Sequence, residues 1–287
     1  MIKVTKVWDA ADGSATPGRV FTASIAQEFV PNGGDELSYF KMGVKGAVST
    51  SAVVIETFAG LVAPFTLRFG GDNRLVLNLD ELCALMAFYY HEIPAVGENT
   101  DGTGNDFIGG LKIPVYLKAE AGKQFLVQAD RTAQTNIGTE TVDLYGYWDA
   151  GEPNRKPVHA VRIAHTTSGS AGLETLGSQI VPEGNLIGLI ISEPNGFADG
   201  NIDTSVQRVK ILANGKKVAE FNDLGDVTPT EVLDYVAPLP IADLLRPFRR
   251  LDLRDAGIDA KGQVLTLQLD VQDVSDACVI IPVLETV

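Results

Sequence analysis

The 287-residue chain has only two cysteines, Cys83 inside an apolar run and Cys278 near the C-terminus, and neither has a CxxC or metal-ligand spacing. A disulfide framework is excluded, and both are expected to be buried free thiols. Basic residues are also scarce. Lys and Arg number 23 against 37 Asp and Glu, which gives a formal net charge of -14 with no basic tail. Split near residue 144, the halves carry -6 (11 basic, 17 acidic) and -8 (12 basic, 20 acidic). A phosphate-neutralising protein needs a basic face, so direct binding of nucleic acid is not expected. Aromatics make up only 7%, and the two tryptophans, Trp8 and Trp148, are far apart in sequence. That counts against the aromatic platforms on which sugars stack. No run approaches the ~18 apolar residues of a membrane span, and residues 1–12 lack the apolar core and cleavage site of a signal peptide. Any membrane contact is therefore expected to be peripheral.

What is present is β-sheet patterning. Short alternating or β-branched runs bounded by Gly, Pro, Asn and Asp predict strands. They lie at residues 19–25, 52–58, 64–69, 74–79, 111–117, 124–128, 141–147, 158–163, 186–191, 206–212, 217–221, 249–253, 264–269 and 278–284. At 45% hydrophobic residues, the chain is long enough for one large domain or two ordinary ones.

The order of features repeats at about half the chain length. Phe65 to Phe69, a turn at Gly70 to Asn73 and Leu75 to Leu77 match Val209 to Leu212, a turn at Asn214 Gly215 and Val218 to Phe221. Asn-Gly between alternating runs is a strong hairpin signal, because both central residues of a type I′ turn need positive φ. Each hairpin leads into a helix start: Asn78 with Glu81, and Thr228 with Pro229 and Glu231, fit the capping-box pattern. The helix predicted over Leu79 to Tyr90 is apolar on nearly all sides, so it is expected to be buried in a core or between subunits. Closing strands follow, Ile113 to Leu117 with Phe125 to Val127 and Leu251 to Leu253 with Val264 to Leu269. The polar segment 149–157 marks the boundary, giving units 1–152 and 153–287.

The run from Val206 to Lys217, leading into a short capped helix, resembles the hairpin and helix of double jelly-roll major capsid proteins. These belong to tailless icosahedral viruses with an internal membrane, the corticoviruses and tectiviruses. The resemblance implies an all-β fold of two tandem eight-stranded jelly-roll β-sandwiches with short helices in loops. It implies a viral coat protein in the virion, made in the host cytoplasm, self-assembling as pseudo-hexameric homotrimers without catalysis. The implied partners are copies of itself in neighbouring capsomers, minor vertex or spike proteins and an internal lipid membrane at its periphery. Subunit contacts are expected around the apolar stretches 93–96 and 237–245. The alternative is a β-sandwich carbohydrate-active enzyme or sugar-binding module.

Candidate chemistry is thin. The histidines are His91, His159 and His165, with no HxH pair of the kind bicupin metalloenzymes need. Ser168 to Gly172 lacks the glycine that a nucleophile elbow requires two residues before its serine, and reads as a polar loop. The stretch 98–106 concentrates oxygen donors on a glycine-rich backbone, and Glu98, Asp101 and Asp106 are candidate Ca²⁺ ligands, although the spacing matches no EF-hand. A solvated loop is the plainer reading. Arg246, Arg249, Arg250 and Arg254 form a basic cluster among Asp243, Asp252 and Asp255. It is expected either to form local salt bridges or to grip an acidic neighbour or lipid headgroups.

Overall fold

The computed structural model describes residues 3–8, 19–20, 24–29, 35–48, 58–100, 105–134, 137–149, 156–176, 184–193, 206–222, 244–245, 247–254, 258, 262–272 and 277–286. The chain divides into two compact units, residues 1–158 and 159–287. The expected boundary at residue 152 lies outside the described residues.

In the first unit the strands are β1 (Lys3–Trp8), β2 (Arg19–Val20), β3 (Ser24–Phe29), β4 (Glu36–Val48), β5 (Val62–Phe69), β6 (Asp72–Leu77), β7 (Ala95–Thr100), β8 (Asn105–Lys118), β9 (Phe125–Arg131) and β10 (Ile137–Asp149). They form two antiparallel sheets. One runs β1–β10–β4–β8–β7, with β2 also on β10, and the other runs β6–β5–β9–β3. Counting β1 and β2 as the first strand and β7 as an added edge, the orders are 1-8-3-6 and 2-7-4-5. Consecutive strands therefore alternate between sheets except for the fourth and fifth, the β5–β6 hairpin, which is the jelly-roll order. The closing strands β8 and β9 are consecutive in sequence yet lie in opposite sheets.

The second unit contains β11 (Val158–Val161), β12 (Ile163–Thr166), β13 (Gly172–Thr175), β14 (Gly184–Ser192), β15 (Val206–Ala213), β16 (Lys216–Phe221), β17 (Phe248–Asp252), β18 (Leu265–Val271) and β19 (Ala277–Thr286). Its sheets run β11–β19–β14–β17, with β12 also on β19, and β13–β18–β15–β16. With β11 and β12 as the first strand, the orders are again 1-8-3-6 and 2-7-4-5. Two jelly rolls of one topology follow each other in the chain.

Local chemistry explains the repeated hairpin. The β5–β6 and β15–β16 turns hold two residues each, with φ of 60° and 93° at Gly70 and Gly71 and of 48° and 80° at Asn214 and Gly215. Two positive φ values match the strand twist, and only Gly and Asn adopt them at little steric cost. Asp72 and Asn73, expected in the first turn, instead pair with Phe69 and Arg68 as the start of β6.

Helix α1 (Leu79–Tyr90) follows the first hairpin and is buried over nearly its whole length. Its start is fixed by Glu81, whose carboxylate accepts the Asn78 backbone N–H at 2.8 Å. It ends where His91 enters the left-handed region and caps Met86 O. The matching helix expected after Thr228 lies outside the described residues, as do residues 237–243 and residues 52–57 of an expected strand. Phe58, the last residue of that expected strand, is helical instead. A short helical turn there lets it fill the core at 0% exposure.

The core of the first unit is aromatic. Phe125 lies 5.2 Å from Phe29, 4.5 Å from Phe69 and 5.7 Å from Trp148 between ring centroids. Trp8 meets Phe65 edge-on at 6.4 Å. The two tryptophans, distant in sequence, occupy adjacent strands of one core because β10 inserts beside β1. The second core is aliphatic, built from residues such as Leu189, Ile191, Ile211, Leu267 and Ile280. Burying each such side chain contributes about 1.5–3 kcal/mol.

Candidate interaction surfaces

β10 and β4 alternate along the middle of the β1–β10–β4–β8 sheet. Phe40, Met42, Val44, Val142 and Leu144 point into the core, so their neighbours Tyr39, Lys41, Gly43, Lys45, Asp143, Tyr145 and Tyr147 form the outer face. Strand register sets these side chains in rows. Lys6 is opposite Tyr145, Tyr145 opposite Lys41, and Lys41 opposite Lys112. The next row is Val4, Tyr147, Tyr39 and Pro114.

The rings and ammonium groups of these rows interlock. Tyr39 and Tyr147 stack at 4.6 Å with 14° between their planes. Lys112 Nζ lies 5.0 Å from the Tyr39 ring centre, Lys41 Nζ 5.4 Å from that of Tyr147 and Lys6 Nζ 5.9 Å from that of Tyr145. Each such contact adds about 0.5–1 kcal/mol at an exposed site. Lys112 is also paired with Glu92. Beside the lysine row, Gly43 and Gly110 face each other across the strands. With no side chains there the sheet sinks into an open trough of about 490 Å³, rimmed by Ile93, Ala95, Asp143 and Tyr145.

Sequence reading missed this face because its residues come from four strands scattered over the unit. The usable signal was the i, i+2 alternation of Tyr39 with Lys41 and of Tyr145 with Tyr147.

The second unit carries the arginine cluster on β17. Arg249 and Arg250 are buried, and the local salt bridges expected of the cluster form where Arg250 and Arg254 meet Asp252. Burial pushes the Arg249 guanidinium down to about 10, against the opposing pull of the Glu193 carboxylate. Glu193 is wholly buried and accepts the Val206 N–H at 2.8 Å. Arg250 and Arg254 both reach Asp252, the latter at 3.1 Å. Burial opposes ionisation of Asp252, yet the Arg254 amide and the two guanidiniums hold its carboxyl below the usual range. Arg249 and Arg250 are thus set in the sheet rather than offered to headgroups, while Asp243, Arg246 and Asp255 lie outside the described residues.

In the β12–β13 connection, Glu174 accepts the Ser168 N–H at 2.7 Å and contacts His165 Nε2 at 2.8 Å. The Ser168 hydroxyl and amide and the His165 imidazole hold its carboxyl below the usual range, with burial opposing. Serine, histidine and glutamate are neighbours here, but the glutamate stands between the other two. A nucleophilic triad needs the histidine in the middle, so this cluster ties a loop together. His159 is half-buried on β11.

Two of the three proposed calcium ligands fall on paired strands. β7 and β8 pair as far as Thr100 and Asn105, so Glu98 and Asp106 sit in strands rather than in the loop expected. Their side chains, and Asp101 altogether, lie outside the described residues. Among the described residues no group of three His, Cys, Asp or Glu is placed to hold a metal ion. Cys83 and Cys278 are both buried and unbridged, and burial with nearby Asp80 pushes the Cys83 thiol far up.

No protein-family model matches the chain, and no curated protein matches it. Solved structures do. The major capsid protein of bacteriophage PM2 superposes with a TM-score of 0.59 at 10% identity, over 99% of this chain and 96% of that one. The STIV major capsid protein gives 0.64 at 10% identity, over 99% and 96%. A chain of the PBCV-1 virus capsid gives 0.58 at 10% identity, over 99% and 93%. At such low identity the likeness speaks for architecture, and it agrees with the strand orders derived above: the chain has the double jelly-roll fold of these viral capsid proteins.

Proposed function

We propose that this chain is the coat subunit of a tailless icosahedral virus, a protein that works by self-assembly rather than catalysis. Three copies form a trimer, with two jelly rolls from each copy joined near residue 152 and six sandwiches approximating a hexagon. One observation carries the reading: two jelly rolls of identical strand order span the same length of chain as in the capsid proteins of three viruses. A hexagonally packed shell can be tiled by trimers when each chain supplies two similar units, and the interface is then heterologous. The remaining partners follow from that role: neighbouring trimers, vertex or spike proteins, and a lipid membrane beneath, with no direct contact to nucleic acid.

The tyrosines of the exposed sheet stack on one another or lie beneath lysines, which leaves the carbohydrate-active alternative without a bare platform at this face. Light scattering on a sizing column tests the proposal. A mass of three chains, with hexagonal outlines in negative stain, is expected. A monodisperse mass of one chain up to high concentration would overturn it, and glycan hydrolysis by the pure protein would overturn its non-catalytic part.

A further inference from the structure

We infer that the outer face of the β1–β10–β4–β8 sheet, centred on the trough above Gly43, is where the acidic second unit of a neighbouring copy of this chain docks. The inference rests on the self-assembling reading above and adds where the copies meet.

Charge is the first reason. Copies carrying -14 each repel one another, so close association needs a place where the sign is reversed. Among the described residues, this face bears Lys6, Lys41, Lys45, Lys112 and, at its end, Lys118, against Asp143, Glu92 and Glu36. Lys6, Lys41 and Lys45 are exposed in the single chain. The half of the chain that would meet it is the more acidic, at -8 (12 basic, 20 acidic).

Composition is the second. Beside the lysine row runs an apolar one, with Val4 53% exposed next to the stacked Tyr147 and Tyr39. Tyrosine at the centre with charge around it is the anatomy of a specific protein interface, and the pre-stacked rings lose little freedom on docking. Ile93 and Ala95, from the stretch in which sequence alone placed subunit contacts, form the rim of the trough.

Shape is the third. A Cβ added at Gly43 would meet nothing within 4 Å, so glycine is not required there by the packing of the unit itself. A mid-strand glycine costs roughly 0.5–1 kcal/mol relative to alanine, and an open floor is of use only to something that enters it.

Two variants test the docking. Gly43→Trp places an indole over the trough from a position whose Cβ meets nothing within 4 Å, and Lys41→Glu with Lys45→Glu reverses the charge of β4 on this face. Both should keep the wild-type thermal midpoint and circular dichroism. Trimer formation, followed by sedimentation velocity, should weaken by at least about tenfold in each. Adding salt should weaken the wild-type trimer as well, because exposed charges are screened over about 10 Å at 0.1 M. Folded variants that remain trimeric at wild-type concentrations would overturn the docking site while leaving the coat-subunit reading intact. A wild type that is monomeric throughout would overturn both. Anionic phosphatidylserine vesicles provide the remaining arm. Vesicle binding lost in the lysine variant while its trimer persists would assign the face to lipid and overturn docking between copies.

Discussion

The two jelly rolls share their strand order and differ in what their corresponding sheets present. In the first unit the 1-8-3-6 sheet is buried on one face and shows lysine and tyrosine on the other. In the second unit the centre of the same sheet, β14 with β19, is buried on both. Leu189 and Ile191 belong to the aliphatic core, while Ile187, Ile190, Ile281 and Val283, also buried, fall outside that cluster on the opposite face. β14 accordingly reads as a continuous apolar run rather than an alternating one. Strand order fixes which residues meet inside a sandwich and leaves the outer faces free to diverge, and it is on those faces that a role is built.

The largest test of the comparison concerns the two interiors. Phe125→Ala opens a hole among three rings in the first core and should cost about 3–5 kcal/mol in denaturant unfolding. Leu267→Ala in the aliphatic core should cost less, at about 3 kcal/mol. Equal losses would show that the aromatic cluster adds nothing beyond the area it buries. Next come the buried charges of the second unit, Glu193 and Arg249. Glu193→Ala strips Arg249 of an opposing charge and Val206 of an acceptor, and should lower stability by about 3 kcal/mol in the same experiment.

Gly184→Ala probes how closely β14 and β19 approach. An added Cβ would lie 2.1 Å from the Glu285 carbonyl oxygen, so the backbone must shift, at about 1–3 kcal/mol by thermal unfolding. Gly43→Ala in the first unit, with open space above it, should be neutral or slightly stabilising. The pH test belongs to the β12–β13 loop. Glu174 has a lowered folded pKa, so its contribution is complete above the ordinary glutamate value of 4.5 and drains away as pH falls below it. Glu174→Gln should flatten that part of the stability–pH curve. The smallest effect is expected on the exposed side of β16, where Lys217→Ala removes a surface pair with Glu220 and should change stability by less than about 1 kcal/mol.

Much of this fold was legible in the sequence where local chemistry decides structure. The two hairpins were written in Gly70-Gly71 and Asn214-Gly215, and the start of α1 in Asn78 and Glu81. β4 went unread although Phe40, Met42 and Val44 alternate along it, because Gly43 and Gly46 look like strand breakers. Those glycines are tolerated because β10 and β8 pair with β4 on both sides. β1 was missed because its outer residues, Lys3, Val4 and Lys6, carry no periodic signal of their own. The candidate surface was less legible than the fold, since it exists only once register aligns Lys6, Tyr145, Lys41 and Lys112. The buried arginines show the same limit. A basic run looks alike whether it lies on a surface or, as Arg249 and Arg250 do, inside a sheet that is covered on both sides.

The place of β10 has a consequence for the protein as it is being made. β10 is the last strand of the first unit and is not an edge: it lies between β1 and β4, and Lys3 is partnered by Trp148. At a synthesis rate of ~5–20 residues per second, the first strand waits on the order of ten seconds for its neighbour to leave the ribosome. Until then the row from Lys6 through Tyr145 to Lys41 is missing its middle member. The lysine–tyrosine face is therefore completed only when the whole first unit has been synthesised.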